Sequence, residues 1–543
     1  MFQTLYKGTL KAFTCSRTTS AHSISFLKRT YTKPLKFSSM NVSSFTGNSM
    51  PETTYSKILT FETINPHIKN VEYAVRGELA IRAEEIKEEL ARNGFGKFGF
   101  DTVVNCNIGN PQQLLQRPIT FFRQVACLTE YPDLLLPENR DRVKALFPSD
   151  VIERAQLMLK QIGSVGAYSH SQGILFIRKD VAKFIEERDG YPSDPNNIFL
   201  TQGASTGVQS VLQLIIAHSN VGIMIPIPQY PLYSATLSLF DAQPVPYYLN
   251  EEENWSLDIS QLTSSLSTAR DKGINVRALV IINPGNPTGQ CLTEQNMREI
   301  IDFCHQQHLV LLADEVYQTN IYQPTERPFH SFKKVLRSMG SKYDQFELFS
   351  FHSISKGMIG ECGRRGGYYE CTGIDKQVIE QLYKVASVGL CPNVPGQIMV
   401  DLMVRSPKHG DKSYPLYQKE MNNIYESLRR RSVKLNELFN SLEGVSCKDA
   451  QGSMYLFPRI NLPVKAIEAA KAAGKQPDEF YCLEMLNATG VCVVPGSGFH
   501  QEEGTWHFRS TFLPPEELFD GFCERLKNFH KEFLVKYSGL KTI

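Results

Sequence analysis

Hydrophobic residues follow two rhythms along this chain, and the rhythms alternate. Unbroken apolar runs at 278–282 and 309–313 each end in polar residues, Asn283 in one case and Asp314-Glu315 in the other. Such runs predict strands buried on both faces, the pattern of a parallel sheet covered by helices. Between them Met297, Ile300, Ile301 and Cys304 recur at i, i+3, i+4 and i+7, which predicts a connecting helix. This strand–helix–strand unit delivers Asn286 and Asp314 to one edge of the sheet, where open α/β sheets bind ligands. A further strand at 198–201 leads through Gln202-Gly203-Ala204-Ser205-Thr206-Gly207 into a helix carrying Val208, Val211, Leu212 and Ile215.

Outside that region the rhythm changes. Leu79, Ala83, Ile86 and Leu90 predict an early helix, and strand signals are few before residue 197. The Pro-rich break Cys391-Pro392-Asn393-Val394-Pro395-Gly396 precedes long amphipathic helical sequence, then strand-like pieces at 453–457, 491–494 and 507–509. The expected fold is α/β, a mainly parallel central sheet in a large domain over 166–410. A smaller α/β domain takes part of 51–165, which also supplies an N-terminal arm, and all of 411–543.

A length of 543 residues exceeds one compact core, so two or more domains are expected. A net charge of +2 gives no argument for nucleic acid or membrane as a partner. No apolar stretch approaches the ~20 residues of a membrane span. Twelve cysteines without a Cys-x-x-Cys pair suit free thiols in a reducing compartment.

The compositional bias lies at the N-terminus. Residues 1–51 contain no Asp or Glu, carry Lys7, Lys11, Arg17, Lys28, Arg29, Lys33 and Lys36, and are rich in Ser and Thr. On a helix Phe2, Leu5, Tyr6, Leu10 and Phe13 share one face, opposite Lys7 and Lys11. That is the composition of a mitochondrial transit peptide over residues 1–50, cleaved between Arg29 and Met50, and it implies the mitochondrial matrix. A start at Met40 or Met50 would give a cytosolic form.

Candidate chemistry centres on Lys356, in Phe351-His352-Ser353-Ile354-Ser355-Lys356-Gly357, with Arg364 in Gly363-Arg364-Arg365-Gly366-Gly367. An amine beside small hydroxyls, an arginine and glycines suits a covalent pyridoxal phosphate (PLP) site. Lys356 would form the imine and act as general base and acid. The ring nitrogen calls for a buried carboxylate, and Asp314 at a strand end fits; Glu315 faces the opposite side. Asn286 and Tyr317 can donate to the ring's phenolate oxygen. The phosphate would find the amides of Ala204 and Ser205 at a helix start, with Ser353, Ser355 and Arg364 as further partners. Tyr230, between prolines, can stack on the ring. Arg509, in an apolar strand, suits the substrate's carboxylate, because a guanidinium binds carboxylate in a planar, bidentate way. His305, His308 and Cys304 lack a further ligand nearby, so no metal is expected.

These residues together resemble the fold-type I PLP-dependent aminotransferases. Longer phrases, among them Val71-Glu72-Tyr73-Ala74-Val75-Arg76-Gly77, Gln116-Arg117-Pro118-Ile119-Thr120-Phe121 and Val494-Pro495-Gly496-Ser497-Gly498-Phe499, are similar to the alanine aminotransferase (glutamate–pyruvate transaminase) branch. The resemblance runs from about Leu59 to the C-terminus. It implies a homodimer with Tyr168 reaching the neighbouring subunit's phosphate, and Gly109 and Asn286 near the substrate. It also implies ping-pong transfer from L-alanine to 2-oxoglutarate, giving pyruvate and L-glutamate. Aspartate-specific relatives use an additional arginine, and none occurs between Arg365 and Arg405, which suits alanine. Arg76 is a candidate for the distal carboxylate of glutamate. A glutamate–glyoxylate aminotransferase, a PLP-dependent lyase or synthase, and a non-catalytic PLP-binding protein on the same fold are the alternatives.

Overall fold

The apolar runs form the centre of the molecule because they are buried on both faces. The computed structural model describes residues 57–73 and 77–538, so the expected transit peptide and Arg76 lie outside the described residues. Contacts divide the chain into Met1–Leu59 and Thr60–Ile543, and the description below concerns the second unit.

Its main sheet has seven strands: β2 (Ile198–Thr201), β3 (Val221–Ile227), β4 (Gln243–Tyr248), β5 (Asn275–Ile282), β6 (Val310–Asp314), β7 (Leu348–Ser353) and β8 (Gly367–Thr372). They lie in the order β2-β8-β7-β6-β5-β3-β4. β8 is antiparallel to both its neighbours, and the remaining pairs are parallel. The mainly parallel α/β sheet expected from the sequence is therefore present.

The two-residue period of each strand sorts its side chains between two helical layers. Leu279, Ile281, Leu311 and Ala313 pack with Met297, Ile300 and Ile301 of helix Glu294–Gln307 on one face. Ala278, Val280, Ile282 and Leu312 pack with Val208, Val211 and Leu212 of helix Ala204–Ile215 on the other. Each such fully buried aliphatic side chain contributes roughly 1.5–3 kcal/mol relative to exposure.

A third core joins both chain ends. Leu79, Ala83 and Ile86 of helix Glu78–Asn93 meet Leu435 and Phe439 of helix Tyr414–Asn440 and Phe519 and Phe522 of helix Glu516–Ser538. Short strands line it: β10 (Tyr455–Leu456) and β13 (Val494–Pro495) flank β14 (Phe508–Thr511). β1 (Val104–Asn105) pairs β12 (Val491–Cys492), and β9 (Val445–Ser446) pairs β11 (Arg459–Ile460). Helices Thr120–Glu130 and Ser149–Ile162 instead share a core with Leu175–Asp189 and Val394–Val404, across the sequence boundary at 165.

Candidate active site

Register places the polar residues. Ile282 pairs Asp314 and Asp314 pairs Phe351, so β5, β6 and β7 end together, and the segments after them open at one edge. A cavity of about 510 Å³ lies there. Lys356, Asn286, Asp314, Tyr317, Ser353 and Ser355 line it, as do Ala204, Ser205 and Tyr230 from the adjoining strand–helix turns. The core of the chain ends brings Gly109 and Arg509 to the opposite wall.

Lys356 Nζ donates to the carbonyl oxygen of Gly109 at 2.7 Å. A methyl added at Gly109 would sit 2.3 Å from Tyr455 Oη and 2.8 Å from Lys356 Nζ, so any larger residue displaces both. Asp314 is buried and accepts from Tyr233 Oη at 3.0 Å. Burial pushes its carboxyl up to about 6, against the opposing bonds from Tyr233 and the Val316 amide and the charge of Lys356. Glu315 points away, accepting from the Phe332 amide at 2.7 Å, as strand alternation requires.

Arg509 is 1% exposed. Its Nη1 donates to Asn286 Oδ1 at 3.0 Å and its Nη2 to the Asn107 carbonyl, while Nε has no partner among the described residues. The guanidinium carbon lies 4.2 Å from the centre of the Tyr455 ring. A buried guanidinium with an uncommitted N–H, facing a cavity, is equipped to take a carboxylate.

Two expected residues stand apart. Arg364 does not line the cavity; its guanidinium lies 3.9 Å from Glu130. Its neighbour Arg365 takes the expected place, donating to Ser205 Oγ at 3.2 Å and to the Gln202 carbonyl at 2.9 Å. The reason is backbone geometry: Arg365 has φ 53°, a left-handed turn that throws its side chain to the side opposite Arg364. Of the two, Arg365 and not Arg364 lines the cavity. Tyr168 is 81% exposed and lies outside the cavity of its own chain.

Sequence reasoning passed over Tyr73, Tyr233, Tyr455, Cys362 and Arg365. Tyr73 Oη is 3.0 Å from Tyr230 Oη at the cavity mouth. Tyr233 stands three residues after Tyr230, on helix Pro231–Leu239, and a buried phenol in such a place needs a polar partner. Only that signal was available.

The signature of the family described as aminotransferase class I and II matches residues 137–526. The chain belongs to this family. The aminotransferase is 55% identical over 488 residues to a Dictyostelium discoideum protein named probable alanine aminotransferase, mitochondrial, covering 89% of this chain and 91% of that one. It is 52% identical over 485 residues to glutamate–glyoxylate aminotransferase 1 of Arabidopsis thaliana, covering 89% and 98%. A crystal structure of an aminotransferase from Escherichia coli matches with TM-score 0.67 at 23% identity, over 88% of this chain and 99% of that one, which bears on the fold alone.

The aminotransferase is PLP-dependent, as its family is, and the cavity can be tested for the fit of that cofactor. Helix Ala204–Ile215 starts without a side-chain cap, leaving its first amides for an anion. Gly203 there has φ 81°, and a methyl on it would meet Arg365 Nη2 at 2.5 Å. One end of the cavity thus offers amides, hydroxyls and a guanidinium, and the other a buried carboxylate. That polarity fits a phosphate at one end and a protonated ring nitrogen at the other. Among the described residues, no group of three or more His, Cys, Asp or Glu could hold a metal ion, and no helix is long and apolar enough to cross a membrane.

Proposed function

We propose that this aminotransferase transfers the amino group of L-alanine to 2-oxoglutarate, giving pyruvate and L-glutamate. The observation that carries the reading is the 55% identity to a protein named alanine aminotransferase, over nearly the whole chain. PLP, when bound, supplies the electron sink that makes the amino acid's Cα proton acidic. Lys356 Nζ takes that proton from the Cα of L-alanine and, in the half-reaction with 2-oxoglutarate, gives a proton to the carbon that becomes the Cα of L-glutamate. Arg509 holds the α-carboxylate, with Asn286 fixing the guanidinium through the 3.0 Å bond. Asp314, oriented by Tyr233, keeps the ring nitrogen charged. Asn286 and Tyr317 donate to the ring oxygen, and Tyr230, held by Tyr73, covers the ring face.

Phosphate binding falls to Ala204, Ser205, Ser353, Ser355 and Arg365. The Arg365→Ala variant is expected to raise the PLP dissociation constant roughly 10–100-fold, as befits loss of a charge-assisted bond. Arg364→Ala should change it less than about twofold, because its contact is an exposed ion pair. Fluorescence titration of the cofactor-free protein measures both; equal effects would return Arg364 to the site.

A homodimer is part of the same reading. Tyr168 is exposed beside a surface bearing Val388, 88% exposed, and Leu390, 54% exposed. The Ser169 amide donates to Cys391 Sγ at 3.4 Å, and the His170 ring lies 5.1 Å from Tyr383, so Tyr168 belongs to that surface. Covering it with a second copy would bring Tyr168 to the neighbour's phosphate. Residues 1–50 are read as a transit peptide to the mitochondrial matrix, with Met40 or Met50 as a cytosolic start. The name of the Dictyostelium relative supports the first of these. The division into a large domain over 166–410 and a small one from both ends draws support from the separate core of the chain ends.

The glyoxylate reading keeps standing through the 52% identity to a glutamate–glyoxylate aminotransferase. The absorption of the bound cofactor separates the two. L-alanine should bleach it with release of pyruvate, and 2-oxoglutarate should restore it. A band that alanine leaves unchanged, but glutamate bleaches and glyoxylate restores, would replace alanine aminotransferase with the second reading.

A further inference from the structure

One wall of the cavity that holds the Lys356 amine is a tyrosine outside every motif. Tyr455, on β10, is 2% exposed. Tyr317 Oη donates to Tyr455 Oη at 3.2 Å, and the Arg509 guanidinium lies over the ring. The point a methyl on Gly109 would occupy is 2.3 Å from Tyr455 Oη and 2.8 Å from Lys356 Nζ. The phenol oxygen and the amine nitrogen thus both lie close to one point.

Packing alone does not call for the hydroxyl. Phenylalanine would fill the same volume and still lie under Arg509, without burying a polar atom. Among the described hydrogen bonds Tyr455 Oη donates none, because Tyr317 supplies the proton of their shared bond. The charged and titratable groups facing it are Lys356 and Cys362 after β7, Tyr317 after β6, and Arg509 on β14. Burial would raise the phenol's pKa, but Lys356, Arg509 and the bond from Tyr317 turn the net shift downward. Of the two cations facing it, only Lys356 can exchange a proton, since a guanidinium stays charged.

We propose that Tyr455 is a positioning residue for the Lys356 amine, a phenol that shares a proton with Nζ and holds it over the reacting carbon. The role of Nζ rests on the transaminase reading above; the pairing itself does not. Removing the phenol leaves the amine with the Gly109 carbonyl as its hydrogen-bond partner among the described residues.

The test uses Tyr455→Phe in two states. In the cofactor-free protein, the rate of Lys356 modification by an amine-acylating reagent at one fixed pH is followed by peptide mass spectrometry. It is expected to rise roughly 3–10-fold, since the phenol no longer holds the amine. In the PLP-loaded enzyme, kcat with L-alanine should fall roughly 10–100-fold while KM stays within about threefold, the split of a proton-transfer defect rather than a binding defect. Tyr317→Phe keeps Tyr455 but removes their shared bond, so the rate should rise by less. It also provides the reading if Tyr455→Phe does not fold. An unchanged rate in either folded variant overturns the pairing, and an unchanged kcat in Tyr455→Phe overturns its role in turnover. If the wild-type enzyme fails to transaminate while the rate still rises in the variants, the transaminase reading fails and the pairing stands.

Discussion

Replacing Lys356 with alanine is expected to reduce pyruvate formation from L-alanine by roughly 10⁴-fold or more, the upper range for loss of a positioned general base. The expectation follows from the composition of the cavity wall. Asp314 is held by Tyr233, Arg509 by Asn286 and Asn107, and Arg365 by Ser205 and Gln202. Among the described residues no other amine lines the cavity to replace Nζ. The same commitments predict that the variant still binds PLP without a covalent bond, since phosphate and ring contacts come from other residues. Its fold should survive, because the one hydrogen bond lost is that to the Gly109 carbonyl. Steady-state assays, with cofactor retention checked by gel filtration and absorbance, decide the point. A Lys356→Ala enzyme turning over at the wild-type rate would remove Lys356 from the mechanism. Loss of activity together with loss of the fold would be uninformative, so thermal unfolding belongs in the same experiment.

How much of this site could be read in advance depended on whether a residue sits in a local pattern. Asp314 and Asn286 were legible because the first ends one apolar run and the second follows shortly after the end of another, and parallel register brings such ends together. Ala204 and Ser205 were legible because a strand, a glycine turn and a helix follow in order. The choice between Arg364 and Arg365 was not. Adjacent arginines are equivalent in sequence, and a single positive φ at Arg365 decides which one faces Ser205. Tyr455 and Tyr73 were hidden for another reason. Each reaches the site by a contact far along the chain, Tyr455 to Tyr317 and Tyr73 to Tyr230, and no periodicity reports such pairs. The helices were easier. Met297, Ile300, Ile301 and Cys304 are all buried in the helix their spacing predicted, because that face had a sheet to cover. The two-residue strands β10, β12 and β13 are shorter than the apolar stretches at 453–457 and 491–494, whose remaining residues are buried outside the strands.

Asp314→Asn should separate function from stability by moving them in opposite directions. In the PLP-loaded enzyme kcat is expected to fall about 10²–10³-fold, because an amide in that place no longer favours the charged ring and a preorganised electrostatic partner is lost. The cofactor-free protein should behave otherwise. Burial lifts the Asp314 carboxyl from its ordinary 3.8 to about 6. A folded value above the unfolded one means that folding favours the protonated form. Its stabilising contribution is therefore complete below the unfolded value and is lost as pH rises from about 4 through about 6. At 1.36 kcal/mol per unit, the cofactor-free wild type carries a cost of up to about 3 kcal/mol above pH 6. Asparagine has no charge to bury and can still accept from Tyr233 through Oδ1. The variant should thus be more stable than wild type at pH 7.5 and about equal to it near pH 4. Glu315 and Asp401, each pushed up to about 8 by burial, titrate in both proteins and cancel in the difference. Denaturant midpoints measured across that pH range test the sign. A variant less stable than wild type at every pH would show that the Asp314 carboxylate is structural, and would take from it the role of a group held at a cost for the cofactor.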